Sequence, residues 1–258
     1  MPDVPGPLRD GQIDEFVQRG FTILAGGFPR SVATAVRADL GIRLGADLLD
    51  PASWTKPRLW LKEALTQPPF TDAITARFAA AVDQLAGAGR WEPLDYMGWW
   101  PVTFPGFADP PYGDDWHVEG GFRHHIWSPE QALLPLFCFS DIESGGGGTL
   151  LAAGSHAVVA EVLWEAEPDG LDPDDIWPVV SARLDQDGWE KIEVVAEAGD
   201  IVLAHPLMFH SSNPNHGSRP RVMAQPRFDM TEPKRTQGDG LFPVEVPLAH
   251  TQPPAHRP

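Results

Sequence analysis

Apolar side chains recur at helical spacing in the first third of the chain and in short strand-like runs afterwards. Residues 10–19 suit a short helix with Asp10 as its cap, and residues 21–24 suit a strand. Ser31 is placed to cap a helix carrying Val32, Ala35, Val36, Ala38 and Leu40. A further helix fits 71–87, where Ile74, Phe78, Ala81, Val82 and Leu85 form one apolar stripe, read here as core packing.

From Met97 the texture changes to β-like runs broken by Gly, Pro and Asp: 97–104, 116–120, 133–139, 148–152, 191–196, 200–205 and 221–229. Many short strands with turn signals predict a sandwich or barrel. Residues 155–167 and 173–184 interrupt them as helices. The expected architecture is α+β in one domain over 1–258: a helical part over about 1–95, a β core over about 96–230 with a helical insertion, and a tail over 231–258.

Composition narrows this picture. A chain of 258 residues, 42% hydrophobic and 21% charged, can bury a large core. A net charge of −17 opposes nucleic acid and, more weakly, anionic membrane surfaces. No apolar run reaches the roughly 18 residues of a membrane span, and residues 1–10 lack the regions of a signal peptide. The single cysteine, Cys138, excludes an internal disulfide and a thiolate zinc cluster. It sits in the apolar run LLPLFCFS, as an inert buried thiol would. A cytoplasmic location is the expectation.

Three polar features fall in or beside the predicted strands. His117 and Glu119 stand two apart, and on a strand such positions share a face. His210 follows the run Ala204-His205-Pro206-Leu207-Met208-Phe209, and Arg221 lies eleven residues further on. Two histidines and one carboxylate with open coordination positions form the ligand set of a non-haem iron(II) oxygenase. A nearby arginine would hold the far carboxylate of a 2-oxo acid through two charge-assisted hydrogen bonds. Spacing alone does not separate this from the blander reading, a solvated strand pair and a satisfied loop histidine.

Four segments carry a more specific signal. They are Phe16-Val17-Gln18-Arg19-Gly20-Phe21-Thr22-Ile23-Leu24, Phe139-Ser140-Asp141-Ile142-Glu143 with Gly147-Gly148-Thr149-Leu150, Ala153-Gly154-Ser155-His156, and His210-Ser211-Ser212-Asn213-Pro214-Asn215 with Arg219-Pro220-Arg221. In this order they resemble the phytanoyl-CoA dioxygenase family. The resemblance implies a double-stranded β-helix core (jelly-roll, cupin-like) and iron(II)- and 2-oxoglutarate-dependent dioxygenase activity. The substrates would be a small molecule and O2, the products succinate, CO2 and a hydroxylated compound. It further implies His117, Glu119 and His210 as the catalytic metal ligands and Arg221 as the 2-oxoglutarate anchor, with Arg219 its rival. Ser212 and Thr149 match positions for hydroxyls near the cosubstrate. Glu119 departs from the family's usual aspartate by one methylene, and it leaves no vacancy for a halide, as related halogenases do. A metal-binding jelly-roll without oxygenase activity is the alternative, and a non-oxidative metalloenzyme on the same scaffold is the third reading. A CoA thioester is not implied, because its phosphates would want a basic surface.

Other candidates are weaker. His205, five residues before His210, would face away on a regular strand and serve structure, and His156 is read likewise. His124 or His125 would be a substrate contact, while His216, His250 and His256 would be exposed. Gly154-Ser155-His156 lacks the elbow of a serine hydrolase. Trp99, Trp100, Trp116, Phe122 and Trp127 would line the mouth of the site or pack in the core.

Overall fold

The computed structural model describes residues 6–108 and 115–249, so the expectations for His250 and His256 and the end of the tail lie outside the described residues. The first helix, α1 (Asp10–Arg19), stops at Gly20, whose φ of 85° turns the chain into β1 (Phe21–Leu24). A side chain at Gly20 would also collide, its Cβ falling 2.4 Å from Met208 Cε and 2.5 Å from His156 Nδ1. Helix α2 (Arg30–Leu44) is capped by extended Pro29, not by Ser31, which already sits inside the first turn. Next come β2 (Arg58–Leu61) and α3 (Ala76–Ala86). The predicted helix over 71–87 is thus divided. Thr71–Ala73 forms a 3-10 turn, and Thr75 breaks the run because its hydroxyl accepts the Phe78 N–H and starts α3 anew.

The second half supplies β3 (Trp100–Thr103), β4 (Leu134–Cys138), β5 (Leu150–Ala152), α4 (Ser155–Glu165), α5 (Pro173–Asp187), β6 (Lys191–Glu193), β7 (Ile201–Ala204), β8 (His210–Ser211) and β9 (Met223–Ala224). Several predicted strands shorten. Residues 116–120 make only the bridge His117↔His210, because Gly120, at φ 110°, turns the chain away. In 221–229 the ladder covers Met223–Ala224, and Pro226 has no N–H to extend it. The strands β2 and β8 carry too few alternating positions to be read from sequence.

All pairings are antiparallel. One sheet has the order β1-β7-β4-β9, a second β6-β5-β8, and β2-β3 form a ribbon. Alternation along β4 explains its unbroken apolar run. Phe137 and Phe139 enter a core shared with α1, α2 and α3, whereas Leu134, Leu136 and Cys138 share a cluster with Leu151 of β5 and with Val194, just after β6. The four-stranded sheet therefore has helices on one face and strands on the other. Helices α4 and α5 pack with Trp116, Val118 and Phe209 in a third cluster. No helix among the described residues is long and apolar enough to cross a membrane.

Candidate metal centre

The third cluster aims the polar residues between its members. Trp116 and Val118 are drawn into it, so the intervening His117 and the following Glu119 project the other way. Phe209 is buried in the same cluster, and His210 is turned out opposite it. The backbones of His117 and His210 then pair directly, N–H to carbonyl, at 2.9 and 3.0 Å. This bridge sets the two rings 4.3 Å apart, centroid to centroid. One donor atom from each of His117, Glu119 and His210 lies within 4.8 Å of the others.

The hydrogen bonds fix which nitrogens point inward. His117 donates Nδ1–H to the Asp115 carbonyl at 2.6 Å, and His210 donates Nδ1–H to the Met208 carbonyl at 3.0 Å. In the neutral imidazole this leaves the Nε2 lone pair of each ring pointing into the gap. The buried Nε2 of His210 has no hydrogen-bond partner and faces Glu119 Oε2 at 3.5 Å. Without a proton on Nε2 these two atoms repel, and a metal cation between them takes the place of that proton. The donor set fits a divalent metal with open positions. Burial and the neighbouring His210 hold His117 below the ordinary histidine value, so its imidazole is neutral and able to ligate at neutral pH. Burial works to raise Glu119, but His210, His117 and Arg227 outweigh it and keep the carboxylate ionised.

Residues around the three tie them down. The Asp115 carboxylate accepts from the Ser211 hydroxyl at 2.7 Å, from the Ser212 N–H at 3.0 Å and from the Ser212 hydroxyl at 3.1 Å. Arg58 Nη1 donates to the Ser212 hydroxyl at 2.9 Å. Ser212 is therefore engaged in joining the two histidine segments. Gln225 Nε2 donates to Glu119 Oε2 at 2.9 Å. Sequence pattern assigns no role in the site to Asp115, Arg58 or Gln225. For Gln225 a signal existed, since it follows Arg221 and Met223 at strand alternation.

Arg221 is buried, 2% exposed, and donates Nε–H to the Thr103 hydroxyl at 3.3 Å. Its Nη1 and the buried Thr149 hydroxyl both approach Met223 Sδ at 3.8 Å. Arg219 instead lies exposed at the surface. His205 is fully buried and satisfied, bonded to the Val244 carbonyl and the Leu207 N–H. It is kept from His210 by a turn rather than by strand alternation. His124 is buried and donates to the Gly120 carbonyl at 3.3 Å, and His125 stacks on Trp127 beside Glu167. Trp100 and Trp116 belong to the core, while Trp99 and Trp127 are exposed. Burial pushes the Cys138 thiol up to about 12, which leaves it unreactive.

Solved structures share this fold. HygX from Streptomyces hygroscopicus, with nickel and 2-oxoglutarate bound, is 18% identical with a TM-score of 0.57, over 87% of this chain and 88% of that one. EctD from S. alaskensis with bound Fe is 18% identical, TM-score 0.56, over 89% and 78%. The epimerase SnoN, in complex with Fe3+, alpha ketoglutarate and nogalamycin RO, is 16% identical, TM-score 0.56, over 85% and 82%. No curated protein sequence matches the chain significantly. The family model that matches this α+β scaffold defines an iron(II)- and 2-oxoglutarate-dependent oxygenase. Within that class the chain belongs to the phytanoyl-CoA dioxygenase (PhyH) family, whose model matches residues 20–223.

Proposed function

We propose that His117, Glu119 and His210 hold one iron(II), that Arg221 anchors the far carboxylate of 2-oxoglutarate, and that the protein hydroxylates a small molecule. The observation that carries this reading is the convergence of three donor atoms within 4.8 Å, with both Nε2 lone pairs exposed to the gap. Iron(II), 2-oxoglutarate and O2, when bound there, supply the oxidation of an unactivated C–H bond, with succinate and CO2 as co-products. The chain's own residues bind and orient. The peptide bridge between His117 and His210 fixes the separation of the two imidazoles, and the carbonyls of Asp115 and Met208 hold their tautomers.

The strand from Arg221 supports the cosubstrate assignment. Arg221, Met223 and Gln225 alternate onto one side, and Gln225 reaches Glu119. This alternation supports a placement of Arg221 on the side of the chain from which Gln225 reaches Glu119. Thr149, which like Arg221 approaches the Met223 sulfur, completes the cosubstrate's polar contacts. The two antiparallel sheets packed around Leu136, Leu151 and Val202 support a double-stranded β-helix, built as a single domain. The acidic chain, at −17, does not favour a CoA thioester.

Purified protein given iron(II), ascorbate and 2-oxoglutarate under air is expected to form succinate. Metal binding without succinate above an iron-only control would leave the metal-binding alternative standing and reject the oxygenase reading.

A further inference from the structure

We propose that Gln225 is a positioning residue for Glu119, its side-chain amide fixing which carboxylate oxygen is turned toward the two histidines. The proposal rests on Glu119 being a metal ligand and concerns how that ligand is held. Gln225 lies beyond residues 20–223, the span that the family match covers.

Glu119 carries one more rotatable bond than an aspartate, and its side chain is partly exposed, at 21%. Unheld, such a side chain samples several rotamers, and ordering it on metal binding costs conformational entropy. The Gln225 amide removes that freedom. A carboxylate only accepts hydrogen bonds, so the NH2 end of the amide must face it. The bonded oxygen, Oε2, is also the one 3.5 Å from His210 Nε2. One contact thus sets the distance between two of the three donors.

The prop itself is anchored. The Gln225 N–H is shared between the Gly98 and Trp99 carbonyls at 3.2 Å each. On one side Met223 and Ala224 are laddered to β4, and on the other the Tyr96 hydroxyl bridges the N–H and carbonyl of Arg227. Trp99 has a φ of 55°, a backbone region that a bulky residue adopts only when its surroundings impose it. Its carbonyl is one of the two that hold Gln225. The amide therefore approaches Glu119 from a fixed backbone, as an effective prop requires.

The test is a cobalt(II) titration of the metal-free protein, read by affinity and by the visible absorption of the bound ion. Gln225→Leu is expected to weaken cobalt(II) by about 10- to 100-fold, the usual effect of removing a hydrogen-bond partner of a metal ligand. Its absorption spectrum should change as well. Glu119→Asp draws the carboxylate out of reach of the amide, so in that background Gln225→Leu should change affinity less than about threefold. A merely structural bond would instead cost the same in both backgrounds, and that result overturns the proposal. So does parent affinity and spectrum in Gln225→Leu when Glu119→Ala has lost binding. If Glu119→Ala binds cobalt(II) like the parent, the ligand reading falls and takes this role with it. Thermal unfolding of the metal-free variants checks folding, and Gln225→Asn, too short to reach, carries the same expectation should Gln225→Leu not fold.

Discussion

At the scale of single residues, two arginines two positions apart have different fates. Arg221 is buried against Thr103 and Met223, and Arg219 stands at the surface. Their sequence context is nearly the same, but Arg221 is bridged to Thr103 and turned into the core, whereas Arg219 lies in the exposed bend before it. Losing a buried charge-assisted partner costs about 2–5 kcal/mol, roughly 30-fold to several thousand-fold in affinity. Arg221→Ala is therefore expected to weaken 2-oxoglutarate binding by that factor in a titration of the metal-loaded protein, with metal affinity nearly unchanged. Arg219→Ala should leave both at parent values. Unchanged 2-oxoglutarate affinity in Arg221→Ala would move the anchor elsewhere.

Elements carry the next level of control. Helix α3 begins where it does because the Thr75 hydroxyl accepts the Phe78 N–H and also donates to the Gly27 carbonyl. Thr75→Ala removes the cap and unpairs that carbonyl, at a cost of about 1 kcal/mol or somewhat more. Calorimetry should show a fall in Tm of roughly 2–4 °C. An unchanged Tm would mean that packing of Phe78 and Val82 alone sets the helix start. The apolar stripe of this helix is legible in the sequence, but its first turn is not. A cap is decided by one hydroxyl competing with the backbone, and periodicity does not register it. The same limit hides β2 and β8. β8, at His210–Ser211, exists through its partners Leu150 and Leu151 rather than through any pattern of its own.

Across the whole molecule, buried histidines stitch α1, α4 and the chain after β7 together. His156 donates Nε2–H to the Val17 carbonyl at 3.0 Å and lies 5.0 Å, ring to ring, from His205. Burial pushes His156 down to about 4 and His205 well below the ordinary value. A histidine whose folded value is depressed takes up protons in the unfolded chain first. Its stabilising contribution is complete above about pH 6.5 and is lost as pH falls toward the folded value near 4. By pH 5 the loss from His156 reaches about 2 kcal/mol. Urea unfolding at pH 7 and pH 5 should show it, and His156→Asn should reduce the pH dependence by about that amount. An equal pH dependence in the variant would show that His156 is not held neutral in the fold.

The sequence by itself determined the order of most helices and strands, because alternation and helical spacing are local properties of the chain. It also determined the family, since four motifs in order are specific in a way that His117 and Glu119 alone are not. Arg221 and Thr149 were named from those motifs, and each lies 3.8 Å from the Met223 sulfur. Only the tertiary structure decided that His117 and His210, 93 residues apart, form one backbone bridge. It alone showed that Ser212 is bound to Asp115 and Arg58, and that Gln225 holds Glu119. The reason is physical. A hydrogen bond between distant segments depends on register, and register is set by the packing of Trp116, Val118 and Phe209 beneath α4 and α5.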